Sequence, residues 1–247
     1  ADGRAAIDGH AGSFSLSSSE PDPTVGRMGL RLRMQPDEYP VEIDLDGGIG
    51  ATAGRPVYSG SFAFNFRRDD KQQKQDQSIF SAPRTRGSFE LTNGRVRIPS
   101  YRMELGAVDN PYIITGEATL DTGTAPEFLL TADGQQIDFN RFTPTPVPSS
   151  GKTSRVPTVS VRQRIEAFAD LIARIPVPQV PGKASISLPA LVSDDTTIRD
   201  IRLDVRPDGA GWQVVNAVAV LPGRTQFEAK GSLTLTGGPA FNGDLLV

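Results

Sequence analysis

The sequence predicts a mainly β protein: antiparallel sheets of repeated strand-hairpin units, with one amphipathic helix. Three observations carry this expectation. Apolar and polar residues alternate through most of the chain, tight-turn signals separate the alternating runs, and a glycine-led motif recurs in phase with the apolar positions. A period of two over four or more residues marks a half-buried strand.

The first clear pair lies at 28–46. Met28, Leu30, Leu32 and Met34 alternate with Gly29, Arg31 and Arg33. After a short loop holding Pro36 and Pro40, Val41, Ile43 and Leu45 alternate with Glu42, Asp44 and Asp46. One polar face is basic and the next acidic, so cross-strand pairs would each add roughly 0.2–1 kcal/mol. At 88–98, Asn93-Gly94 is the preferred dipeptide of a two-residue type I′ turn, which calls for positive φ at both residues. That turn sets Leu91 opposite Val96 and Phe89 opposite Ile98, with Glu90 meeting Arg97 on the other face. Beyond Pro99, Tyr101, Met103 and Leu105 resume the alternation one residue out of phase. A bulge near Pro99–Ser100 accounts for the slip.

The last strands repeat the scheme. Ile201, Leu203 and Val205 alternate with Arg202, Asp204 and Arg206, and Pro207-Asp208-Gly209 is a turn signal. Trp212 and Val214 open the return strand. Phe227, Ala229, Leu233 and Leu235 alternate after Pro222-Gly223. Gly237-Gly238 turns the chain once more, before Phe241 and Leu245. The helix is expected at 161–175: Ser160 and Gln163 form a capping box, Ile165, Phe168, Ala169 and Ile172 follow helical spacing, and Pro176 ends it.

YSGSFAF at 58–64, ITGEATL at 114–120 and AKGSLTL at 229–235 form an internal repeat. Gly60, Gly116 and Gly231 are each in phase with the apolar residues that follow. A glycine on an apolar strand face permits bending or close approach by another group. Recurrence of this kind points to stacked supersecondary units. The expected organisation is an N-terminal β-repeat at 1–66, a charged, glutamine-rich polar loop at 67–86 and a second β-repeat at 87–142. A Pro-rich linker bearing the helix follows at 143–182, then a C-terminal β-repeat at 183–247.

Composition narrows the chemistry. The 247 residues carry a net charge of −3 with no basic stripe, which argues against a nucleic-acid footprint. There is no cysteine, hence no thiol nucleophile or thiolate metal site. His10 is the only histidine, which excludes a His-based triad and a His-rich metal centre. Asp69-Asp70 and Asp194-Asp195 read as turns or solvated faces, since adjacent strand residues point to opposite sides. The glycines match no phosphate-binding loop and Ser17-Ser18-Ser19 no nucleophile elbow. No catalytic residue, cofactor or metal is expected. No apolar run reaches the 18 residues of a membrane span. Trp212 reads as a core anchor.

Periodicity leaves two readings of the apolar faces. In one they cover each other in a closed β-sandwich, a structural or interaction module. In the other a face stays uncovered and holds lipid. The lone helix, too little to cover a large sheet, and the phase-matched glycines favour the second.

The stretch LVSDDTTIRDIRLDVRPDGAGWQVVNAVAVLPGRTQFEAKGSLTL (191–235) resembles the AsmA-like family of envelope proteins. The shared pattern is a strand, a D-G turn, a Trp-led strand, a Leu-Pro-Gly turn and a strand ending in a glycine-led alternation. PVPQVPGKASISL (176–188), GSFELTNGRVRIPSYRMELG (87–106) and the 28–66 region are similar to the segments that precede this pattern in the family. The resemblance implies curved sheets forming an apolar groove, in a periplasmic protein anchored to the inner membrane and tied to phospholipid traffic and outer-membrane integrity. The implied partners are phospholipid acyl chains and other envelope proteins, and the anchor would lie outside this piece. The family is related to TamB and supplies no catalytic residues. The groove lining expected from the alternation is Phe62, Phe64, Phe89, Leu91, Val96, Ile98, Leu120, Leu203, Leu233 and Leu235.

Overall fold

The computed structural model describes residues 1–7, 10–22, 26–38, 40–66, 83–106, 108–138, 177–193, 196–209, 211–235 and 240–247. These are mainly β. The expected helix at 161–175 lies outside the described residues, as do Asp69-Asp70, Asp194-Asp195 and Gly237-Gly238. Among the described residues there is no α-helix, only a short 3₁₀ turn at Pro222–Arg224.

The chain divides into two units, Ala1–Gly134 and Gln135–Val247. The first holds β1 (Asp2–Ile7), β2 (His10–Asp22), β3 (Arg27–Pro36), β4 (Val41–Thr52), β5 (Arg55–Phe66), β6 (Arg84–Thr92), β7 (Arg95–Leu105), β8 (Tyr112–Asp121) and β9 (Glu127–Gly134). Each strand pairs antiparallel with the next in sequence, so spatial order equals chain order. The second unit holds β10 (Ile137–Asp138), β11 (Gly182–Ser193), β12 (Thr196–Asp208), β13 (Gly211–Leu221), β14 (Thr225–Thr234) and β15 (Ala240–Leu246). Here β11 to β15 form a second antiparallel meander, and β10 pairs parallel to β11. Strand β6 begins at Arg84, inside the stretch expected to be polar loop.

Alternation sets the register. Met34, Leu32 and Met28 face Ile43, Leu45 and Ile49. The opposite face carries the expected charge ladder. Arg31 is ion-paired with Asp46, and Arg33 Nε lies 2.7 Å from Asp44 and 3.0 Å from Glu42. The arginines and Asp46 are exposed, Asp44 and Glu42 half-buried, and pairs with so exposed a partner contribute little beyond register.

The hairpin at Asn93-Gly94 has the expected length, with Leu91 facing Val96 and Thr92 facing Arg95. Its turn is not type I′: neither Asn93 nor Gly94 has positive φ. That geometry occurs instead at Ala53-Gly54 (φ 49° and 75°), the two-residue link between Thr52 and Arg55. The bulge is where the phase slip places it. Ser88 pairs with Ser100 but Glu90 with Arg97, so Ile98 and Pro99 together oppose Phe89. A matching shift falls between Ile98 and Tyr101 in the β7–β8 ladder. One extra residue returns Tyr101 and Met103 to the face of Val96 and Ile98. In the second unit, Asp200 (φ 52°) marks a shift between Arg199 and Arg202.

Candidate functional site

Directly opposed residues of an antiparallel ladder lie on the same face. Following the pairs across the first unit therefore traces rows of side chains. One row runs Met28, Ile49, Tyr58, Leu91, Val96, Leu120 and Phe128. The next runs Leu30, Gly47, Gly60 and Phe89. A third runs Leu32, Leu45, Phe62, Gly87, Tyr101 and Gly116, and a fourth Met34, Ile43, Phe64, Thr85, Met103 and Ile114. Thus Phe62, Phe64, Phe89, Leu91, Val96, Ile98 and Leu120 share one apolar face. The other face carries Arg31, Arg33, Asp44, Asp46, Ser61, Arg86, Ser88 and Arg102.

The glycines sit in the two middle rows, and there the neighbouring chain is close. A Cβ on Gly60 would collide with the Asp46 carbonyl, and one on Gly116 with the Thr131 carbonyl. Aromatic rings lie beside these bare positions. A Cβ on Gly87 would stand 2.8 Å from the Phe62 ring, and one on Gly116 2.9 Å from the Tyr101 hydroxyl. Phe89 meets Tyr58 edge-on at 4.8 Å and 69°. The tyrosines tie strands together: Tyr101 Oη donates to the Thr131 carbonyl at 2.7 Å, two strands over, and Tyr58 Oη to that of Leu30 at 3.0 Å. Burial, with nearby Asp133 adding to it, pushes the Tyr101 phenol up to about 12. Both hydroxyls therefore stay neutral donors at physiological pH. A hollow of about 490 Å³ is lined by Phe62, Gly87 and Tyr101, a contiguous row, and by their chain neighbours Ser61, Arg86, Ser100 and Arg102.

Burial distinguishes this face from a sandwich core. Phe62 and Phe89, in the middle rows, are 4 % and 5 % exposed, and Leu105 is also buried. Leu91, Val96, Ile98, Leu120 and Phe64 are only half-buried. Among the described residues no side chain falls below 2 % exposure. Among the described residues close backbone approach runs between ladder neighbours, and no second layer lies over the face within either unit. In the second unit Leu203, Val205, Val214, Ala229 and Leu233 share a face through the pairs Val205–Val214, Leu203–Ala217, Ala217–Ala229 and Trp212–Leu233. Leu235 falls just past the end of β14 and has no ladder partner. Trp212 is buried, as its reading as an anchor expects. Tyr58 and Tyr101 were not among the residues expected to shape the face. Their signal was present in the spacing, since Tyr58 precedes Gly60 by two positions and Tyr101 continues the run to Met103.

The polar face holds one dense charge cluster. Glu104 lies 2.9 Å from Arg102, 3.2 Å from Arg86 and 3.7 Å from Arg84. The hydrogen bond from Arg102, helped by all three guanidinium charges, holds its carboxyl below the ordinary value of 4.5. A depressed carboxylate adds stability that is full above its unfolded pKa and lost as pH falls through the folded one. Glu104→Gln should therefore be less stable than the native chain at pH 7. The gap should narrow below pH 4.5 and close in stronger acid, as read from urea midpoints across pH. A gap that stays constant to pH 2 would show that Glu104 acts through packing alone.

Among the described residues no cluster of three potential metal ligands occurs, and no helix is long and apolar enough to cross a membrane. No family model, curated protein or solved structure matches the chain.

Proposed function

We propose that this is a non-catalytic β-groove protein that shields or conveys phospholipid between the inner and outer membranes and so contributes to outer-membrane integrity. The observation that carries the reading is the apolar face of the first unit: at least four rows wide, half-exposed, with no second layer over it among the described residues. Contiguous exposed apolar surface on this scale calls for an apolar occupant. The AsmA-like resemblance supplies its identity as phospholipid acyl chain and its setting as the periplasm, with the full-length protein anchored to the inner membrane. In this reading the sheet curves along its bulges and its bare glycine positions, and the middle rows become the groove floor. Each buried methylene gains roughly 0.8 kcal/mol without directional bonding. A surface of this kind holds many different acyl chains and lets them slide.

Native mass spectrometry of the purified chain should show copurified phospholipid. Leu91→Asp sets a carboxylate among Tyr58 and Val96, where acyl chains would pass, and an ionised group in hydrocarbon is strongly disfavoured. On a face that already meets water, the variant should melt near the native temperature while losing lipid at least ~10-fold. Leu233→Asp makes the same test in the second unit. A native chain free of lipid, with a Leu91→Asp variant that fails to fold, would instead identify a closed structural or interaction module.

A further inference from the structure

Along the polar face of the first unit, arginines of the ladder meet carboxylates of their own. Arg31 pairs with Asp46, Arg33 with both Asp44 and Glu42, and Arg95 with Asp121. At one place the balance fails. Arg84, Arg86 and Arg102 share the single carboxylate of Glu104, which leaves two positive charges uncompensated among the described residues. Glu104 is 19 % exposed, whereas Arg86 and Arg102 are 68 % and 40 % exposed, so solvent meets the cations more than the acid that offsets them. Arg84 Nη2 is buried and has no hydrogen-bond partner among the described residues, leaving the cluster short of acceptors as well as of negative charge.

The register makes the shortage costly. Arg86 stands directly opposite Arg102, and like charges directly opposed destabilise a sheet. Two residues along each strand, on the same face, Ser88 stands opposite Ser100 with their hydroxyl oxygens 3.1 Å apart. No bulge interrupts the ladder between these two pairs. Two guanidiniums and two hydroxyls therefore share a patch roughly 5 Å by 7 Å. All four can donate hydrogen bonds, and no acid lies among them. Guanidinium forks take the oxygens of a tetrahedral oxyanion in pairs, and a hydroxyl can donate to a third. A phosphate monoester carries about −1.5 to −2 charges at pH 7, which matches the two uncompensated positive charges.

We propose that Arg86, Arg102, Ser88 and Ser100 form a binding site for a phosphate monoester group, supplied by free phosphate or by the terminal phosphate of a lipid headgroup. The site lies on the face opposite the apolar one and does not depend on lipid lying there.

Calorimetric titration of the native chain with inorganic phosphate, at neutral pH and fixed ionic strength, should give saturable one-to-one binding of roughly millimolar affinity. Arg86→Gln should weaken it roughly 10-fold or more, the worth of one hydrogen bond to a charged group. Arg33→Gln, on the same face but outside the site, should leave it unchanged. Glu104→Gln removes the competing carboxylate and should tighten it roughly 3- to 10-fold. Dimethyl phosphate, a singly charged diester, should bind at least ~10-fold more weakly than inorganic phosphate. Phosphatidylcholine vesicles with and without phosphatidic acid then identify the source. Retention that requires phosphatidic acid and is lost in Arg86→Gln assigns the site to a headgroup phosphate. Retention indifferent to phosphatidic acid, beside binding of inorganic phosphate, assigns it to free phosphate. A native chain that shows no saturable binding up to about 20 mM phosphate overturns the proposal. So does equal weakening by Arg33→Gln and Arg86→Gln, or weaker binding by a Glu104→Gln variant whose circular dichroism is native.

Discussion

Gly116→Val should destabilise the first unit by about 3 kcal/mol or more, at the upper end of what overpacking costs. The new Cβ would occupy the place of the Thr131 carbonyl oxygen and stand 2.9 Å from the Tyr101 hydroxyl. Neither neighbour yields easily. The first is backbone of β9, and the second is held by the hydrogen bond to that same carbonyl. Relief requires β8 and β9 to separate, which breaks ladder bonds and frees Tyr101. Urea unfolding measures the loss, and Gly94→Val is the control, because Gly94 has nothing within 4 Å of its Cβ position and no positive φ. A Gly116→Val loss under about 1 kcal/mol would show that the close approach is slack.

Phe62→Ala should cost about 3–5 kcal/mol, the range for a buried phenylalanine. Its ring is 4 % exposed and lies against Gly87, so truncation opens a gap over bare backbone as well as removing apolar burial. Phe64 lies on the same face, with its ring centroid 4.8 Å from that of Phe62, but it is only half-buried. Phe64→Ala should therefore cost clearly less. Thermal melts of the two variants side by side test the ranking. Equal losses would mean that the two rings act as one packed unit, with no gradient from the middle rows outward.

Some of this architecture is legible in the residues and some is not, for identifiable reasons. The β3–β4 pairing can be read directly, because arginines alternate with apolar residues on one strand and acids on the next. The bulge after Pro99 is also readable, since a period-two pattern that slips by one residue has few other causes. The turn at Asn93-Gly94 shows the limit. Its register follows from the apolar rows on either side, yet the dihedral angles do not, and the positive φ pair went to Ala53-Gly54. A dipeptide preference is weaker than the register demanded by the flanking strands. The glycines were readable as bare positions on an apolar face. What approaches them was not, because the Gly60 neighbour at Asp46–Gly47 is known only once β4 and β5 are in register. Whether the face is covered lies beyond periodicity altogether, since a sandwich sheet and an uncovered one share the same alternation. Half-burial of Leu91 and Leu120 beside nearly complete burial of Phe62 answers that for the described residues.

Identity of spatial and chain order has a kinetic consequence. Within each unit the antiparallel ladders join consecutive strands, so apart from β5–β6, whose strands lie at Arg55–Phe66 and Arg84–Thr92, none waits for a segment far along the chain. Loop-closure entropy rises with separation, and β proteins usually fold slowly because their pairings are remote. Here a hairpin formed anywhere in a unit is a template for the strand on either side, and the sheet grows by zipping. Its energetics approach a one-dimensional chain of nearest-neighbour couplings, as in repeat proteins. The outermost strands, coupled on one side only, then fray first, and damage to one hairpin stays local instead of dissolving the whole sheet.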